Sequence, residues 1–163
     1  MKLVEAVEKA KELDSIRDII SSGGFLCSAY FIAEKDKKPE NWNLAFYSKE
    51  DEEITAVEVT ESGPELGVTD APLREDTGEV VIEEVEFGAE KALEKAKKLL
   101  DEEFSISYDK VLFTLRKRDG EQEWNAVFVG KSLSIVSIAL NSASGEVTQK
   151  ERKSMNAGKS FGG

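Results

Sequence analysis

The 163-residue sequence has no histidine and one cysteine, Cys27. No Ser-His or Cys-His nucleophile system can be built from it, nor a histidine-ligated metal site. A single thiol also excludes an intrachain disulfide and any thiolate zinc or iron–sulfur centre held within one chain. Catalysis would have to rest on carboxylates, Lys, Tyr or a bound cofactor, and no motif specifies a cofactor or a metal. Long apolar runs are missing too. The opening "MKLVEAVEKAKELD" alternates charged with apolar residues and lacks the continuous core of a signal peptide. No run approaches the roughly 20 apolar residues of a membrane span. Positive charge is scarce: 22 Lys and Arg face 33 Asp and Glu, a net charge of -11. A binder of nucleic-acid phosphates or of an anionic membrane surface needs the opposite balance. A soluble, cytoplasmic, non-enzymatic protein is the expectation.

What is present is a core-forming fraction, 40% hydrophobic, under a densely ionic surface, 34% charged. The order of the chain shows a repetition. "AVEKAKEL" (6–13) matches "ALEKAKKL" (92–99), and "WNLAFYSK" (42–49) matches "WNAVFVGK" (124–131). Ser62-Gly63 matches Ser144-Gly145 at the offset of the Trp segments. Three blocks in one order point to duplication.

Each copy opens on a helical pattern. Ala89, Ala92, Leu93, Ala96, Leu99, Leu100 and Phe104 make one stripe at three- and four-residue spacing. Leu3, Val7, Ala10, Leu13, Ile16 and Ile20 make another, which "SSGG" (21–24) ends. Asp14-Ser15 with Asp18 can restart the chain and so kink or split that first helix. Strands are expected at 26–36, 42–49 and 53–60, then at 110–119, 124–131, 133–141 and 146–151. Asp119-Gly120 is a hairpin signal. The expected fold class is α+β, two tandem repeats of a helix packed on an antiparallel meander sheet. The first repeat covers 1–63 and the second 88–153. Residues 64–87 form a linker with an extra strand at 79–87, and 154–163 form a flexible tail.

The second copy resembles a PepSY-like module, with its cystatin-like helix over a sheet. The resemblance is carried by "AEKALEKAKKLL", "KVLFTLRKRDG", "EWNAVFVG" and "SIALNSASGEV". Asn141 stands where the family usually has Asp. The first copy looks like a weaker version, and "DTGEV" (76–80) echoes the ending. The resemblance implies a non-catalytic binding or inhibitory module.

The candidate binding residues are Trp42, Tyr47 and Trp124. An exposed Trp on a strand can anchor a partner or stack on a ligand, but each Trp also opens the apolar side of its strand and can pack on a helix. Core packing is the favoured reading of the Trp pair. The acidic runs "KEDEE", "EEVE" and "DEE" lack calcium-loop spacing and read as solvated surface. "AGKS" (157–160) lacks the first glycine of a phosphate loop. Terminal Gly162-Gly163 resembles a modifier tail without the β-grasp pattern that would support one. The expected partner is a protein or peptide, or a second copy through a sheet edge. The alternative is a small ligand held between helix and sheet, lined by Trp42, Tyr47 or Trp124.

Overall fold

The computed structural model describes residues 1–70, 78–131 and 133–154. The order is α1 (Leu3–Ala10), α2 (Asp14–Ser21), then strands β1 (Phe25–Glu34), β2 (Trp42–Ser48), β3 (Glu53–Thr60) and β4 (Gly63–Asp70). A 3-10 turn at Ile82–Glu84 follows, then α3 (Ala89–Leu99). Strands β5 (Tyr108–Arg118), β6 (Glu121–Gly130), β7 (Ser134–Asn141) and β8 (Val147–Ser154) complete the described residues. All eight strands form one antiparallel sheet in the order β4-β3-β2-β1-β5-β6-β7-β8. Two meanders therefore meet at β1 and β5, which pair from Ser28 opposite Arg116 to Glu34 opposite Lys110.

The strands alternate as period-2 sequences should. Ala29, Phe31 and Ala33 of β1, Val111, Phe113 and Leu115 of β5, and Trp124, Ala126 and Phe128 of β6 are all buried on one face. Ala6, Val7 and Ala10 of α1, Ile16 of α2, and Ala92 and Ala96 of α3 join the same core cluster. Small alanines let the helices lie close to the sheet. Four aromatic rings run through the centre of this layer. Trp42 meets Phe31 edge-on at 5.0 Å, Phe31 meets Phe113 across the strand junction at 5.4 Å, and Phe113 stacks on Trp124 at 4.9 Å.

The first apolar stripe is split, with α2 restarting at Asp14. Gly23, at φ 90°, supplies the left-handed turn after α2 that "SSGG" implies. In the second stripe the last apolar positions lie in a π turn, Leu100–Phe104, which Ser105 closes by donating its backbone N–H to the Leu100 carbonyl, 3.0 Å. Asp119 and Gly120 both have positive φ, 52° and 81°, as a type I′ hairpin requires.

The described parts of 64–87, residues 64–70 and 78–87, fold differently from the expected linker with its strand at 79–87. The strand is β4, at the Gly- and Pro-containing end. Pro64 sits near the start of an edge strand, where its missing N–H costs no ladder bond. Residues 79–87 form no strand, because their backbone is tied to side chains and turns rather than to a ladder. Val81 exchanges two hydrogen bonds with the Gln122 side-chain amide, 2.8 and 3.0 Å. Val80 donates to the Leu26 carbonyl and Phe87 to that of Ser142, both 2.8 Å. Of the expected flexible tail 154–163, Ser154 belongs to β8. The rest of that tail, with "AGKS" and Gly162-Gly163, lies outside the described residues, as does the Asp76-Thr77 part of "DTGEV".

Candidate functional site: the uncovered face of the sheet

Helices α1, α2 and α3 all pack on one face of the sheet. No helix covers the other face among the described residues. The strand register places side chains on it in rows. One row crosses all eight strands: Glu65 opposite Glu58, Glu58 opposite Asn43, Asn43 opposite Tyr30, Tyr30 opposite Thr114, Thr114 opposite Asn125, Asn125 opposite Ala139, and Ala139 opposite Gln149. Seven of these eight residues are polar, and Asn125 and Ala139 are buried among their neighbours, 6% and 1% exposed. Asn125 accepts from the Ser137 hydroxyl at 3.0 Å, and Glu58 accepts from the Asn41 amide at 2.6 Å. Beside the row, Ile32, Leu112 and Val127 stand opposite one another on β1, β5 and β6 as an apolar stripe. Ile32 is 56% exposed.

On the other side of the row is an ionic clamp. Glu123 is only 4% exposed. Its Oε2 accepts from Arg116 Nε and Nη2, 3.2 and 3.1 Å, and its Oε1 from Arg118 Nε, 3.2 Å. A buried carboxylate is tolerated when hydrogen-bonded cations surround it, as here. Arg118 also reaches across β7 to donate Nη1 to Gln149 Oε1 on β8. Its guanidinium is thus shared between Glu123 of β6 and Gln149 of β8, towards the β8 end of the polar row.

The three candidate residues are not brought together. Trp42 and Trp124 lie on the helix face, 4% and 1% exposed, and offer no surface to a partner. Each indole N–H is held by a backbone carbonyl two residues ahead of a helix: Trp42 by Met1, 3.1 Å, and Trp124 by Phe87, 2.8 Å. They are core anchors that pin helix starts to the sheet. Tyr47 points to the uncovered face, half-buried, with its ring 5.4 Å from Phe25. Asn141 has a turn-forming role. Its Oδ1 accepts from the backbone N–H groups of Ala143 and Ser144, 2.8 and 3.0 Å. The face residues Glu58, Arg118, Glu123 and Gln149 were not singled out from the sequence, since only the register aligns them. The weak signal was "RKRDGEQE", where Arg116 and Arg118 face Glu123 and Glu121 across a recognisable hairpin.

Burial pushes the Cys27 thiol up to about 11, against a small opposing effect of its own backbone hydrogen bonding. The Tyr108 phenol is also raised, chiefly by burial and then by Asp36 and Asp101. Tyr108 borders a shallow depression of about 420 Å³, with Glu34, Lys35, Asp109, Lys110 and Lys131. A second cleft, about 210 Å³, lies between α1, α2 and residues 79–83, lined by Val4, Ile20, Phe25 and Ile82. Neither is lined by Trp42, Tyr47 or Trp124. Among the described residues no group of three or more Cys, Asp or Glu side chains could hold a metal ion, and no helix is long and apolar enough to cross a membrane.

No known family model matches the chain, and no curated protein matches it. A solved structure does. It is similar to the crystal structure of a protein provisionally described as a lipoprotein, from Clostridium difficile 630, with a TM-score of 0.62 at 12% identity. The match covers 94% of this chain and 93% of the other. At that identity the likeness is one of fold. It extends over the whole eight-stranded arrangement rather than over one half.

Proposed function

We propose that this chain is a non-enzymatic protein- or peptide-binding module whose working surface is the β4 edge. The difference between the two sheet edges carries the reading. β8 is guarded by Lys150, Glu151, Arg152 and Lys153, the charged pattern that discourages further pairing. β4 instead shows Leu66 and Val68, 52% and 73% exposed. An extended segment of a partner can add to such an edge through backbone hydrogen bonds and seat alternate side chains beside Leu66 and Val68. Capture of a partner's strand is the basis for an inhibitory or regulatory role. The test is selection from a displayed peptide library against the immobilised full chain, followed by calorimetry. Enriched peptides should bind the parent and not the Leu66→Lys/Val68→Lys variant. Equal binding by that variant, or no enrichment, would overturn the reading.

The same proposal treats the chain as a fused pair of PepSY-like units. In support, both halves run helix then four-stranded meander, and the two Trp indoles make equivalent bonds to the residue two positions before a helix. The cleft alternative has less support, because 210 Å³ is small beside the ~300 Å³ at which ligand pockets begin. A cytoplasmic location is part of the reading. The described likeness to a protein provisionally named a lipoprotein gives the competing one, and fractionation of expressing cells separates the two.

A further inference from the structure

The uncovered face poses a problem distinct from the β4 edge. Eight strands at roughly 4.8 Å spacing, each contributing roughly 25 Å of length, present a surface of about 900 Å². A stable protein interface needs about 800 Å² from each partner. Where they cross the β1–β5 junction the polar row and the apolar stripe are uncharged, with Tyr30 and Thr114 in the row and Ile32, Leu112 and Val127 beside it. Charged groups flank both along the strands, Arg116 paired to Glu123 beyond the row and Glu34 opposite Lys110 beyond the stripe. At one end of the row Glu58 and Glu65 stand directly opposite each other, a like-charge pair that destabilises a sheet. Towards the other end lies the Arg118 guanidinium, a third exposed, which with Arg116 outnumbers the one carboxylate of Glu123.

We propose that this face is self-complementary and that two copies of the chain pack through it as a sandwich of two sheets. The sheet order fixes the symmetry. A two-fold axis along the strands, through the β1–β5 junction, lays β4 over the partner's β8 and β3 over its β7. The polar row then lies on its own copy in reverse, so the Glu58–Glu65 pair of each chain meets the Arg118 end of the other. Both contacts form at once, as an isologous interface requires. Near the axis, the stripe around Ile32 and Leu112 packs on its counterpart, with the sheets about 10 Å apart and their strands near 30°. The result is a mixed interface, with the apolar stripe and the polar row crossing the axis and charged groups on either side of them. The net charge of -11 on each copy opposes association at long range, and about 150 mM salt screens that repulsion beyond roughly 8 Å.

The test is sedimentation equilibrium of the full chain in about 150 mM salt. The parent is expected to be a dimer. Ile32→Lys should be monomeric with an unchanged circular-dichroism spectrum and a melting temperature that no longer depends on protein concentration, because Ile32 is already exposed in the single chain. Glu58→Lys should raise the dimer dissociation constant about tenfold or more. Leu66→Lys, whose position opposite the buried Val57 puts it on the helix side of β4, should leave the dimer intact, which separates this surface from the proposed peptide edge. A parent that stays monomeric at millimolar concentration overturns the proposal. So does a dimer that survives Ile32→Lys, or one that the β4 variant dissolves.

Discussion

Replacing Trp124 by Phe tests whether the doubled Trp segments are core anchors. The indole is 1% exposed, stacks on Phe113 at 4.9 Å with planes 6° apart, and donates to the Phe87 carbonyl at 2.8 Å. Phenylalanine keeps one ring of the stack and loses the rest. The missing ring removes on the order of 40 Å² of buried apolar area, or about 1 kcal/mol. The lost hydrogen bond removes about 1 kcal/mol more. A cavity that cannot fully collapse brings the sum to about 2–3 kcal/mol. For a chain of this length that corresponds to a fall of roughly 5–10 °C in melting temperature. Trp42→Phe should cost less, about 1–2 kcal/mol, since its bond is longer at 3.1 Å and its ring meets Phe31 edge-on. Each variant leaves one Trp as a fluorescent reporter, on opposite sides of the β1–β5 junction. Urea unfolding followed by fluorescence and by circular dichroism should give one shared midpoint, because the four-ring row joins the halves into a single core. A cost for Trp124→Phe below about 0.5 kcal/mol would refute the anchoring argument. So would two separated transitions.

Four further outcomes follow from the described contacts. Glu123→Ala leaves two guanidinium groups facing each other, and should cost about 1–3 kcal/mol in urea titrations. That is below the ~3–5 kcal/mol of a fully buried pair, since Arg116 and Arg118 are about a third exposed. The raised Cys27 pKa means the folded state holds the thiol proton more tightly than the unfolded state. This contribution is complete below pH 9 and is lost as pH rises towards 11. Stability measured across that window should fall more in the parent than in Cys27→Ala, and native protein at pH 8 should react with Ellman's reagent only as fast as it opens. Gly24→Ala should be among the worst single changes, roughly 2–4 kcal/mol by thermal melting, because a Cβ there would overlap the Tyr47 and Ile19 carbonyls. Residues 1–70 and 78–163 expressed as separate chains should each be poorly soluble and should co-purify when made together, since each alone exposes half of the junction ladder.

The helices and most strands were legible because their residues obey simple periods. β3 falls where its alternation places it, and the Asp119-Gly120 turn where its chemistry demands. β4 was hidden because Gly63, Pro64 and Gly67 read as breakers, although an edge strand tolerates them. Residues 79–87 misled in the other direction. Their Val and Ile content suits a strand, yet Gln122 and Ser142 offer their backbone better-placed partners. The pairing of β1 with β5 could not be read at all. It joins residues far apart in sequence, and nothing local specifies which strand edge meets which. The candidate site shares that limit. Burial of Trp42 and Trp124 could be argued from alternation, but the polar row exists only through seven successive strand registers.

The junction of β1 and β5 also bears on how the chain is made. Glu34 leaves the ribosome 118 − 34 = 84 residues before Arg118, the last residue of the strand that covers it. At about 5–20 residues per second, the nascent first half waits on the order of 4–17 s with β1 unpaired on that side. β1 reads "FLCSAYFIAE", the most apolar strand of the first half, and would be a hazardous outer edge if it stayed one. A slower passage through residues 35–118 extends that exposure, and a faster one brings β5 sooner to cover β1. Slow codons in that stretch would lengthen the exposure and favour aggregation over docking.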